Sequence, residues 1–252
     1  FKGKKADKIS VIKIFRVTKD FETSIGNIMS TIKIISKGSK IDGIGLVIAG
    51  VIDTKKKIIV KSSNLPLWEY KPLGRALESE FKTKVILEND AVAPAVCEAL
   101  YGHAVKLDKF IYIIWGTGIG GSYLEKDNKR LLIHCMEPGH QIINRLGVKC
   151  SCGQQGCLEA YIGGNSLSKK YGDKFYQKLS DKEWDEVCNY TAQGMLNTLL
   201  HFPVQLFVFG GGVVLNKPEL LTKVSEIMKE NNKIYPMPEL KTLKFGDKSP
   251  LY

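Results

Sequence analysis

The chain has no apolar run long enough to span a bilayer. It also opens without a secretory segment. Both absences point to a cytoplasmic protein with no membrane partner. No internal repeat or low-complexity tract is visible, which sets repeat architectures aside. Histidine is scarce, with four in 252 residues. The net charge of +11 invites a nucleic-acid reading. However, the lysines are spread through segments such as Lys4-Lys5, Lys55-Lys56-Lys57 and Lys169-Lys170, without interleaved aromatics. That pattern reads as a solvated lysine-rich surface, compatible with an attraction for anionic ligands. At 44% hydrophobic and 25% charged residues, the chain is soluble and globular in type and long enough to bury a core.

Against this background one stretch stands out, residues 137–159, EPGHQIINRLGVKCSCGQQGCLE. It places Cys150, Cys152 and Cys157, three of the six cysteines, within eight residues, and His140 precedes them. Gly153 and Gly156 let the backbone turn tightly enough to aim several thiolates at one point. Three sulfurs and an imidazole complete a tetrahedral set for zinc, and a closed set of four leaves no open position, so the metal would be structural. Three free thiols on a loop are the alternative. A disulfide is disfavoured, because Cys150 and Cys152 are too close to bridge comfortably.

The Glu137-Pro138-Gly139-His140 run, followed by Cys150-Ser151-Cys152-Gly153-Gln154-Gln155-Gly156-Cys157-Leu158-Glu159, resembles the signature of the ROK family of bacterial sugar kinases and sugar-responsive repressors. The resemblance implies a structural zinc held by His140, Cys150, Cys152 and Cys157, which shapes a sugar pocket. It also implies that the zinc-bound His140 faces the sugar with its second nitrogen.

Periodicity supplies the rest of the chain. Residues 9–17 are β-branched and read as a strand. Phe21, Ile25, Ile28, Met29, Ile32 and Ile35 recur at helical spacing after Thr18 or Asp20, with Gly38 as the stop. Residues 44–50 read as a buried strand, and residues 58–61 as a hairpin partner. Pro72 opens a helix with Leu73, Ala76, Leu77 and Phe81 inward. Residues 85–88 form a strand ending at Asn89-Asp90, and residues 91–101 an alanine-rich helix. Residues 110–115 are a buried strand leading into GTGIGGS and then a hairpin. Residues 183–202 form a helix with Val187, Leu196, Leu199 and Leu200 as core candidates. VQLFVF runs into Gly210-Gly211-Gly212, and Pro218 starts a last helix carrying Leu220, Leu221, Val224, Ile227 and Met228 on one stripe. Cys97 and Cys188 read as small buried hydrophobes, and His103 and His134 as surface or core residues.

This is an α/β pattern in two lobes, 1–104 and 105–252, with mixed sheets flanked by helices. The resemblance refines it to the actin-like ATPase (ribonuclease H-like) fold, with ligands in an interlobe cleft. Asn89-Asp90 alone reads as a helix N-cap or as a carboxylate placed at the positive end of a helix. By resemblance, ENDAVAPAVCEALYG (88–102) makes Asp90 the catalytic base for a sugar hydroxyl attacking the γ-phosphate. Asn64, Asn89, Glu137, His140 and Glu159 would then bind the sugar. Gly116-Thr117-Gly118-Ile119-Gly120-Gly121 reads as a hairpin turn or a phosphate-binding backbone. It is not a dinucleotide fingerprint, because a strand follows it. By resemblance, Gly116, Thr117, Gly118 and Gly120 contact nucleotide phosphate, and Gly210, Gly211 and Gly212 contact adenosine. ATP with magnesium would be co-substrate, and a homodimer is expected.

One element of the resemblance is missing. The family's kinases begin with an Asp-x-Gly-Gly-Thr loop, and nothing in residues 1–17 resembles it. The chain opens at Phe1 and ends at Tyr252 just after GDKSP, so both ends are expected to be cut, and the family's final helix is expected to be absent. Two functions follow from the resemblance: an ATP-dependent hexose or N-acetylhexosamine kinase, or a sugar-binding transcriptional regulator with an N-terminal helix-turn-helix. A degenerate kinase that binds sugar without catalysis is a third possibility. Which sugar is bound is not legible.

Overall fold

The computed structural model describes residue 13 and residues 17–62, 65–127 and 130–251. The strand expected at 9–17 lies outside the described residues except at Lys13 and Val17. The chain divides into two compact units, one running to Ala93 and also taking in the last residues from Pro250, and one of Pro94–Ser249.

In the first unit, α1 (Phe21–Ser36) starts where the Asp20 carboxylate accepts the Thr23 amide at 2.7 Å. It ends one residue before the expected stop, because Lys37 itself takes the left-handed conformation at φ 48°. Ile35 is exposed, not inward, because the last turn runs past the core that Phe21 and Ile25 enter. β1 (Ile44–Ile48) is followed by the antiparallel pair β2 (Val51–Asp53) and β3 (Ile58–Lys61). α2 (Leu73–Phe81) follows Pro72 as expected, with Leu73 and Leu77 buried. β4 (Val85–Asn89) then pairs in parallel with β1. The expectation of a fully buried strand at 44–50 is corrected. β1 alternates half-buried and exposed residues, and among the described residues β4 is its one sheet neighbour. The core joins Phe21, Ile25, Ile59, Trp68, Leu73, Leu77, Val85 and Leu87. Within it the Phe21 and Trp68 rings meet edge to face, with centroids 5.5 Å apart.

The second unit begins with α3 (Ala93–Tyr101). The division thus falls at the start of this helix, not near residue 104. Contacts along the helix show why. Glu98 accepts the Lys244 amide at 2.7 Å, and the Tyr101 carbonyl accepts from Lys244 Nζ at 3.1 Å.

After α3 come β5 (Lys109–Trp115), β6 (Ile119–Asp127), β7 (Arg130–Met136), α4 (Glu159–Ile162), α5 (Gly164–Tyr171), α6 (Phe175–Lys178), α7 (Asp181–His201), β8 (Leu206–Gly210), α8 (Gly212–Asn216), α9 (Leu220–Asn231) and β9 (Glu239–Thr242). The sheet order is β7-β6-β5-β8-β9, with β5–β6 and β6–β7 antiparallel and β5–β8 and β8–β9 parallel. β5 and β8 lie inside the sheet, which explains their unbroken apolar sequences. β7 is an edge strand, and its His134 is exposed.

α7 and α9 pack together over the same core, which takes in Val187, Cys188, Leu199, Phe207, Phe209, Val224 and Met228. Leu196 is half-buried, but Leu200 is 50% exposed, because it lies off the stripe that faces the sheet. Cys97 and Cys188 are buried, as expected. Among the described residues, no helix is long and apolar enough to cross a membrane.

α7, the longest helix, begins with a reciprocal cap. Ser180 Oγ accepts the Glu183 amide at 3.4 Å, and Glu183 Oε2 accepts the Ser180 amide at 2.8 Å. Ser180→Ala is expected to lower stability by about 1 kcal/mol. A urea midpoint equal to that of the parent chain would contradict this role.

Candidate functional site

At the end of β4, Asn89 and Asp90 divide two tasks that the sequence left open. Asn89 closes the turn: its Oδ1 accepts the Ala91 amide, and its Nδ2 donates to the Gly50 carbonyl, both at 2.7 Å. The Asp90 carboxyl is half-buried. Burial raises its pKa above the ordinary 3.8, against a smaller opposing pull from the backbone amides of Asp90 and Ala91. Asn64 lies outside the described residues.

In the second unit, the parallel register of β5 and β8 sets Ile114 beside Gly210. The chain leaves both strands at the same end, through two glycine-rich turns. A Cβ built on Gly116 would lie 3.7 Å from the Gly212 nitrogen and 3.8 Å from Gly211 Cα. Gly211 has φ 93°, and a Cβ there would meet the Trp115 carbonyl at 2.5 Å, so only glycine fits. The two motifs, about 95 residues apart in sequence, thus meet at the carboxyl ends of adjacent parallel strands, the usual ligand position in such sheets. Gly120 differs from its neighbours in the motif. It lies within β6, paired with Ile114, and not in the turn.

The turn is braced from behind. Gly164 and Asn165 donate their amides to the Gly116 and Thr117 carbonyls, each at 2.8 Å, and Trp115 Nε1 donates to the Ile162 carbonyl at 2.9 Å. None of these bonds uses the amides of Thr117 and Gly118. Glu159 Oε2 accepts the Ile119 amide at 2.7 Å.

The cysteine loop forms a compact cluster. The donor atoms of His140, Cys150, Cys152 and Cys157 all lie within 4.8 Å of one another. Cys152 and Cys157 Sγ are 3.7 Å apart, as are Cys150 Sγ and His140 Nδ1. A tetrahedron with Zn–S bonds of about 2.3 Å has edges of about 3.8 Å, so the donor set fits zinc in chemistry and in spacing. His140 turns Nδ1 toward the sulfurs, which leaves Nε2 for another partner. Gly153 and Gly156 take φ 95° and 78°, the tight turns expected of them. Backbone and side-chain N–H groups of Gln154 draw the Cys152 thiol down to about 7, whereas burial pushes Cys157 up to about 12. Cys150 and Cys157 are buried and Cys152 is exposed. Glu137 is exposed and His140 half-buried.

Sequence reasoning overlooked the brace made by Trp115, Gly164 and Asn165. It also overlooked Glu98, a fully buried carboxylate that accepts the His103 and Lys244 amides at 2.7 Å each. The one available signal for Glu98 was an acid on an otherwise apolar helix. His103 is exposed, as read.

The ROK family profile matches residues 8–252. The chain belongs to the ROK family. It is 32% identical over 163 residues to the xylose repressor of Bacillus subtilis, a match covering 64% of this chain and 41% of the repressor. It is also 32% identical over 171 residues to the glucokinase of Thermotoga maritima, covering 63% of this chain and 53% of that enzyme. The matched segments thus span about half the length of these relatives. The structure is similar to the ROK hexokinase of Thermus thermophilus, with a TM-score of 0.75 and 26% identity over 91% of this chain and 83% of that one. It is also similar to a ROK glucokinase of Streptomyces griseus in complex with glucose and AMPPNP, with a TM-score of 0.72 and 23% identity over 93% and 87% of the two chains. The ROK fold seen here is that of the actin-like ATPases.

The protein is expected to purify with one zinc per chain. Cys150→Ser is expected to remove most of it, as read by elemental analysis. Full zinc retention in that variant would show that Cys150 is not a ligand.

Proposed function

We propose that the protein is an ATP-dependent sugar kinase. It would transfer the γ-phosphoryl group to a hexose or N-acetylhexosamine, at the 6-hydroxyl. The observation that carries this reading is the meeting of the Gly116–Gly118 and Gly211–Gly212 turns at the ends of β5 and β8. Two amides and the Thr117 hydroxyl left out of the bracing bonds suit phosphate oxygens. Gly210, Gly211 and Gly212 suit the adenosine side, and Gly120 acts as the strand residue that begins the exit from the turn.

Asp90 is the base. In phosphoryl transfer the protein chiefly positions groups and neutralises charge, and one carboxylate takes the hydroxyl proton. A carboxyl raised by burial is a stronger base than an ordinary aspartate, which suits that task. Asn89, Glu137, His140 and Glu159, with Asn64, read the sugar hydroxyls. Zinc, when bound, is structural, because four protein donors close its coordination. Held by His140, Cys150, Cys152 and Cys157, it would fix the backbone from which His140 Nε2 and the Glu159 carboxylate reach the sugar. ATP is accompanied by magnesium, and a reducing, cytoplasmic setting suits the free thiols.

A second reading is a sugar-responsive regulator that keeps the pocket without catalysis. The match to the xylose repressor, at the same identity as the match to the glucokinase, supports it. The two readings part at Asp90. For a kinase, Asp90→Asn is expected to lower kcat by about 10² to 10⁴-fold while sugar affinity measured by calorimetry stays within about threefold of the parent. Undiminished turnover would remove Asp90 as base.

The burial of Asp90 also sets a pH dependence. Its folded pKa is raised above 3.8, so its contribution favours folding below that pH and is lost as pH rises through the folded value. Asp90→Asn is therefore expected to melt higher than the parent at pH 7, with the gap closing toward pH 4. A melting difference that is flat across this range would show that the carboxyl is not destabilised by burial.

A further inference from the structure

Glu159 holds a position that sugar binding alone does not require. It stands two residues after Cys157, the last member of the His140, Cys150, Cys152 and Cys157 donor cluster. Its Oε2 accepts the amide of Ile119, the residue that follows the Gly116-Thr117-Gly118 turn. The turn is shaped around this carboxylate: a Cβ on Gly118 would stand 2.5 Å from Oε2. Three further bonds, from Gly164, Asn165 and Trp115, join residues 159–165 to residues 115–119. Those three are made by backbone groups and a buried indole. Glu159 supplies the one acidic side chain of the strip that grips the turn.

An acid in the first turn of a helix often does no more than complement the helix dipole. That explanation is weak here, because α4 is a single turn of four residues and the carboxylate is bonded to another element. Among the described residues, Glu159 Oε1 carries no hydrogen bond.

We infer that Glu159 is a positioning residue for the nucleotide turn and that it couples sugar occupancy to nucleotide affinity. One carboxylate oxygen holds the Ile119 amide, and with it the turn proposed to face phosphate. The other oxygen is open to a sugar hydroxyl. A hydroxyl bound there restrains the carboxylate that holds the turn, so sugar favours the turn conformation that accepts nucleotide. Linkage makes the effect reciprocal. The inference rests on the kinase reading above and adds a coupling that the separate sugar and nucleotide roles do not require.

The test is calorimetry on the full-length protein with Mg-AMPPNP, with and without whichever hexose or N-acetylhexosamine binds in a calorimetric panel. For the parent chain, sugar is expected to lower the AMPPNP Kd by about fivefold or more. Glu159→Ala is expected to raise the sugar-free AMPPNP Kd about tenfold, the loss of one charge-assisted bond, and to abolish the coupling. Glu159→Gln keeps a carbonyl oxygen for Ile119, so its sugar-free AMPPNP Kd is expected to stay within about threefold of the parent. Gly118→Ala displaces the carboxylate without deleting it and is expected to abolish the coupling too. It also decides the matter if Glu159→Ala does not fold. Parent-level coupling in either Glu159→Ala or Gly118→Ala would overturn the inference, as would a parent chain that binds both ligands independently. A parent chain that binds no AMPPNP would instead defeat the kinase reading and this inference together.

Discussion

The parallel pairing of β5 with β8 is the constraint on which the rest of the second unit depends. It brings the carboxyl ends of two largely apolar strands to one edge, so the glycine turns that follow must share that edge. Gly211 can enter only because it lacks a side chain, since a Cβ would strike the Trp115 carbonyl. The bracing strip then closes behind the first turn. Without this pairing, Gly116-Thr117-Gly118 would be an ordinary hairpin connection. With it, the turn lies against Gly211 and Gly212 and forms half of the proposed nucleotide position.

The cysteine loop is the second fixed point, and the chain joins it to the first within a few residues. Cys157 ends the donor cluster, Glu159 reaches the Ile119 amide, and Gly164 and Asn165 cap the carbonyls of the turn. A structural metal at this place would therefore do more than shape its own loop, because the loop is continuous with the strip that holds the turn. The Asn-Asp pair at the end of β4 shows a similar economy. Asn89 takes the turn-closing hydrogen bonds beside the half-buried Asp90 carboxyl.

Much of this was legible before any coordinates, for physical reasons that differ from element to element. β5 and β8 announce themselves because interior strands are apolar on both faces. The grouping of His140 with Cys150, Cys152 and Cys157 is legible because their spacing is local and their chemistry is specific. Helix starts were legible where a cap is encoded, as at Asp20 and Ser180. What failed were the margins of the apolar stripes: Ile35 and Leu200 have the right character but lie just off the buried face, and periodicity cannot fix that angle. β1 failed because its apolar run suggested a flanked strand. The division of the chain was misplaced because the Glu98 and Tyr101 contacts to Lys244 bind α3 to the second unit. The Glu159–Ile119 bond could not be foreseen, because it spans 40 residues and depends on the fold. Family membership was legible from the cysteine loop alone. The choice between kinase and regulator was not, because relatives of both kinds match this chain equally well.

ADP release by the full-length protein with Mg-ATP, across a panel of hexoses and N-acetylated hexosamines, separates a kinase from a sugar sensor. For a kinase, sustained turnover with at least one sugar is expected. Calorimetric sugar binding without ADP release from any member of the panel would contradict it and would assign the pocket to a sugar-sensing protein.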